Sequence, residues 1–110
     1  MTTPTSSTTD QIIDPRPILD RALATGAVVV AGVRPEQLTD PTPCTDMNVR
    51  TLLAHLIGVL GRVAALGNGE DPFAVADTLL PDDRWVDAWQ GSARQAAAAW
   101  SDDAVLDRPM

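Results

Sequence analysis

The stretch from Val49 to Leu66 constrains this chain most, because its apolar residues recur with the period of an α-helix. At 100° per residue, Val49, Leu52, Leu53, Leu56, Leu60 and Val63 gather within a sector of roughly 100°. On the nearly opposite side lie Ala54, Gly58, Gly61 and Ala65, at steps of four, three and four. Small residues in a row let another backbone approach closely, and each glycine costs about 1 kcal/mol of helix propensity. Close contact along that row is the natural offset. The helix is therefore expected to be packed on two sides.

Two further helices are expected around it. The first begins at Asp14-Pro15-Arg16-Pro17, where Asp14 can accept backbone N–H bonds and proline gives up only donors that lack partners. Leu19, Ala22, Leu23, Gly26, Val30 and Val33 keep helical spacing, which outweighs the strand preference of Val28 to Val30. Arg34-Pro35 closes it. After the proline-bearing loop Thr39 to Cys44, Thr45 is the expected N-cap of the second helix, with Asp46 facing its dipole and Gly67-Asn68-Gly69 ending it. A loop with Asp71-Pro72 and an apolar patch from Phe73 to Leu80 lead to Pro81-Asp82-Asp83, which introduces the third helix. That helix carries Trp85, Trp89, Ala93, Ala96 and Trp100 on one face, and Ser101-Asp102-Asp103 breaks it. Residues 1–13 read as a disordered polar tail, and 14–110 as part of one all-α, up-down helical bundle of about three helices.

Composition narrows the function classes. A chain of 110 residues makes one domain at most. The formal charge is -7, and all eight basic residues are arginines, scattered rather than clustered. Phosphate backbones need clustered positive charge, so nucleic acid is not an expected partner. The N-terminus has neither a basic region nor an apolar run of signal-peptide type, and no membrane partner is expected. No uninterrupted apolar run is longer than Ala27 to Ala31, which falls far short of the roughly 20 residues that cross a bilayer. Cys44 is the only cysteine, so no internal disulfide is possible, and a soluble cytoplasmic protein is expected.

Few residues bear chemistry. His55, the single histidine, sits on the flank of the second helix between its two packed faces, with Val59 and Leu66. By spacing alone it reads as a partly buried histidine donating to a carbonyl or an acid. A flank histidine can also aim a metal-binding nitrogen into a bundle. No HxxxH, ExxH or CxxC pattern supplies further ligands. Cys44 reads either as a thiolate favoured by a helix N-terminus or as a small buried residue in the turn, the latter being usual for unpaired cysteine. The tryptophans read as core. Asp82-Asp83 and Asp102-Asp103 read as helix-start charges, and Arg50 and Arg62 as snorkelling side chains or partners for acids.

The segment Pro41-Thr42-Pro43-Cys44-Thr45-Asp46-Met47-Asn48-Val49-Arg50-Thr51-Leu52-Leu53-Ala54-His55-Leu56-Ile57-Gly58 resembles the signature that opens the second helix of one family. This is the metal-binding N-terminal domain of mycothiol-dependent maleylpyruvate isomerases and related actinobacterial DinB-like proteins. The stretch from Asp14 to Ala22 is similar to the family's first helix. Met47 stands where the family commonly has tryptophan. The resemblance implies a DinB-like bundle in which His55 is the first ligand of a divalent metal, usually zinc. It also implies mycothiol as a thiol cofactor and isomerisation of maleylpyruvate, or thiol transfer, as the chemistry. The family's remaining ligands, a glutamate and a histidine one turn apart, lie on a later helix that this sequence does not contain. The expectation is an incomplete metal site, inactive at this length. The alternative is a non-enzymatic helical module that forms a homo-oligomer, a second copy completing the bundle along Ala54, Gly58, Gly61 and Ala65.

Overall fold

The computed structural model describes residues 14–107, so the expected polar tail at 1–13 lies outside the described residues. Three α-helices account for most of it: α1 (Arg16–Ala31), α2 (Val49–Gly67) and α3 (Trp85–Ala99). Short 3-10 turns occupy Pro35–Gln37, Pro72–Ala74 and Asp103–Asp107. The only β feature among the described residues is one isolated antiparallel bridge, Pro41 with Asn48. The all-α class and the helix order follow the sequence expectation.

The start of α2 does not. Asn48, not Thr45, is the N-cap, and its side-chain oxygen accepts the Thr51 N–H at 2.9 Å. Residues 44–47 instead form a turn in which the Met47 N–H reaches the Cys44 carbonyl at 3.0 Å. Its closure by the Thr42 hydroxyl, which donates to the Met47 carbonyl at 2.7 Å, delays the helix by a turn. Asn48 satisfies an orphan donor as well as threonine would, so either residue is a competent cap by propensity.

α3 lies against both other helices. Trp89, almost fully buried, donates its indole N–H to the Leu23 carbonyl of α1 at 3.1 Å. Gly26 makes that approach possible, since a Cβ there would overlap Trp89 Cζ2. Leu23, Val30, Leu38, Leu53, Ala54, Leu60, Trp85 and Trp89 form the core. Of the three valines in α1, only Val30 enters it; Val28 and Val29 point outward.

Contacts at the helix ends set directions. Arg16, at the start of α1, donates to the Trp100 and Ser101 carbonyls and pairs with Asp103 at 2.7 Å, all just past the end of α3. α1 and α3 are antiparallel. Arg50, at the start of α2, pairs at 2.9 Å with Asp82, just before α3. The end of α2 meets the end of α3, where Trp100 donates to the Val63 carbonyl at 2.8 Å and a Cβ on Gly67 would lie 2.8 Å from the Ala99 carbonyl. α3 therefore runs in the same direction as α2. The up-down relation holds for α1 against its neighbours, and the second reversal is replaced by a crossover through residues 68–84.

That crossover resolves what packs on the small-residue row of α2. A Cβ on Gly61 would lie 2.9 Å from Val75 Cγ1, and one on Gly58 would lie 3.3 Å from the Asp77 Cα. The chain's own returning segment covers the two glycines of the row, whereas Ala54 joins the core between the helices. The larger sector is only partly covered: Leu53 and Leu60 are buried, whereas Leu56 is 37% exposed. α2 is thus packed on two sides, as expected, but its core direction is rotated toward Ala54, Ala64 and Ala65. By length and composition α2 is apolar enough to cross a bilayer, although polar residues such as His55 and Arg62 divide it into short apolar runs. In this structure it packs against α3 and the crossover.

Candidate functional site

His55 projects from the flank of α2 beside the small-residue row, and the crossover brings Asp77 to it. His55 Nδ1 lies 3.1 Å from Asp77 Oδ2, although the two residues are 22 apart in sequence. Arg62, two turns along the same flank, donates to the other oxygen, Asp77 Oδ1, at 2.9 Å. The three side chains are 30 to 40% exposed, a half-open cluster at the protein surface. Gly58 belongs to the same construction. A side chain at that position would overlap Asp77 Oδ1 and come within 3.2 Å of its Cγ. The glycine's helix cost has its offset in seating this carboxylate.

The electrostatics assign the protons. Hydrogen bonds from His55 and then from Arg62 hold the Asp77 carboxyl below its ordinary range. An ionised carboxylate only accepts, so Nδ1 carries the hydrogen in the neutral imidazole and Nε2 keeps its lone pair. No described residue is hydrogen-bonded to Nε2. A ligating histidine characteristically donates its other ring N–H to a carboxylate or carbonyl, which fixes the tautomer and raises ligand basicity. His55 with Asp77 has that form. The donor chemistry suits a divalent metal at one coordination position. Among the described residues no group of three or more His, Cys, Asp and Glu side chains completes it.

The sequence marks His55 and Arg62, with an acid as one of two alternatives for each: a carbonyl or an acid for His55, snorkelling or an acid for Arg62. It does not mark Asp77, which carries no motif and is revealed only by the crossover. Cys44 requires a correction, since its expected buried position is not observed and the residue is exposed. The Thr42 hydroxyl takes the Cys44 N–H at 3.1 Å and turns the chain so that this residue faces out. With α2 beginning at Val49, Cys44 also stands before the helix, not in its first turn. Trp85 and Trp89 are core, as their spacing implied. Asp82 pairs with Arg50, Asp102 accepts the Ala104 N–H at 2.9 Å, and Asp103 pairs with Arg16.

No curated protein and no solved structure matches the chain. A family model does, over residues 19–108, a span that takes in α1 from Leu19 onward, α2, the crossover, α3 and the His55 cluster. The chain belongs to the mycothiol maleylpyruvate isomerase N-terminal domain family.

Proposed function

We propose that this chain is a metal-holding domain of the mycothiol-dependent isomerase or thiol-transferase type, with His55 as its first ligand. The observation that carries the reading is the hydrogen bond from His55 Nδ1 to Asp77, which turns Nε2 into a free, oriented donor. A divalent metal, zinc first among candidates, would be held by Nε2 together with donors from outside the described residues. When bound, it supplies the charge that favours the thiolate of a thiol such as mycothiol at neutral pH. The chain's own residues bind and orient: Asp77 holds the imidazole, Arg62 holds Asp77, and Gly58 leaves room for both. Among the described residues one imidazole is the donor set, and a single donor holds a metal weakly.

Zinc titration followed on the imidazole nitrogen signals tests this reading, and the single histidine makes assignment direct. Zinc should move the His55 Nε2 signal, and His55→Ala should abolish the binding. Binding of undiminished strength in His55→Ala refutes the ligand assignment.

A second reading has its own observation. Leu56 and Val59, at 37% and 36% exposure, form an open apolar strip on α2 next to His55. We infer from it a surface for self-association, moved from the small-residue row, which the crossover occupies, to this strip. Light scattering across a concentration series decides it: a homo-oligomer that Leu56→Glu dissociates supports the reading, and a monomer throughout removes it.

A further inference from the structure

The cluster around His55 contains a residue whose part in the site no family signature assigns. We propose that Asp77 is the positioning residue of the metal site: by accepting the Nδ1 hydrogen it makes Nε2, and only Nε2, the nitrogen that meets the metal. The inference deepens the reading of His55 as a ligand and rests on it.

Three contacts build the device. Asp77 Oδ2 faces His55 Nδ1 at 3.1 Å, and Oδ1 is taken by Arg62 at 2.9 Å. With one oxygen committed to the guanidinium, the carboxylate cannot rotate away without losing a charge-assisted bond. The third contact is steric. Asp77 rests on the bare Cα of Gly58, one turn from Arg62 and three residues from His55, so its height above α2 is set by backbone. His55 and Arg62 come from the helix and Asp77 from the crossover, so the pair forms only when the 68–84 segment lies along α2. Side chains that orient a ligand in this manner commonly alter metal affinity by about 10–100-fold when replaced.

Asp77→Asn gives a sharp test, because the amide is nearly isosteric yet reverses the proton. Arg62 can only donate, so it claims the amide oxygen. The amide NH2 is then left to face His55 Nδ1, which must become an acceptor. The imidazole hydrogen moves to Nε2 and blocks the ligating lone pair. The measurement is a long-range proton–nitrogen correlation spectrum of the full chain, 15N-labelled, at a pH of about 9, where an ordinary imidazole is neutral. Wild type should show the Nδ1–H tautomer and Asp77→Asn the Nε2–H tautomer, with zinc affinity at His55 reduced about 10–100-fold. Asp77→Ala should leave a mixture of tautomers, and circular dichroism checks that each variant remains helical. An Nε2–H tautomer in wild type, or an Nδ1–H tautomer that survives in Asp77→Asn, overturns the positioning role while leaving His55 as a ligand. Zinc binding that survives His55→Ala overturns the ligand reading, and this inference with it.

Discussion

Gly26→Ala should destabilise the domain by about 2 kcal/mol, although alanine is the better helix former. The site lies inside α1, where the exchange alone favours alanine by about 1 kcal/mol. Against this stands the indole of Trp89. The new Cβ would overlap Cζ2, come within 2.6 Å of Cη2 and reach 3.0 Å from Cε2. Carbon atoms in contact prefer about 3.5–4.0 Å, so the ring must withdraw by roughly 1.5 Å. An indole cannot bend, and its retreat strains the bond from Trp89 to the Leu23 carbonyl. Overpacking of this kind costs about 1–3 kcal/mol, and a direct overlap with a rigid ring belongs at the upper end. Subtracting the propensity gain from about 3 kcal/mol leaves about 2 kcal/mol, which corresponds to roughly 8 °C for a domain of this size. Thermal and urea unfolding by circular dichroism would measure it. A double-mutant cycle with Trp89→Leu isolates the contact, since the cost of alanine should largely disappear without the ring. An unchanged or raised midpoint for Gly26→Ala, or strict additivity in the cycle, refutes the packing argument.

Two further outcomes follow from the site and its surroundings. Gly58→Ala should separate stability from site geometry: the helix gains about 1 kcal/mol of propensity, while Asp77 is displaced and His55 loses its fixed tautomer. Its unfolding midpoint and its imidazole nitrogen spectrum check both halves, and an intact Nδ1–H tautomer in Gly58→Ala shows that the glycine does not seat Asp77. Acid should remove the contribution of Asp82, whose carboxyl is held below its ordinary range by Arg50. A group with a depressed folded pKa stabilises above its unfolded value, about 4, and loses that contribution as pH falls through the folded value. The stability advantage of wild type over Asp82→Asn, measured by urea unfolding, should therefore be constant near neutrality and shrink below a pH of about 4. An advantage that grows on acidification would reverse the assigned sign.

Three helices, roughly where they stop, and the packing of α2 on two sides were all legible in the order of residues. These properties are local: a period of 3.6, a cap, a proline or a glycine pair acts over one or two turns. The tryptophan stripe of α3 and the flank position of His55 were legible for the same reason. Tertiary structure alone decided which side of α2 receives which partner. The sector holding Leu56 looked like core by period, yet α3 settles toward Leu53, Leu60 and Gly67. The small-residue row announced a close backbone without identifying it, because a row of glycines accommodates a helix, a second copy or an extended segment equally well. The up-down pattern implied that α3 reverses against α2, and it does not, for a related reason. A connection as long as 68–84 spans either a reversal or a crossover at little difference in closure entropy, so side-chain packing chooses. Asp77 shows the consequence. Nothing near it in sequence marks it, and it stands beside His55 only because the crossover lies on Gly58 and Gly61, where long-range packing brings together groups that local signals cannot.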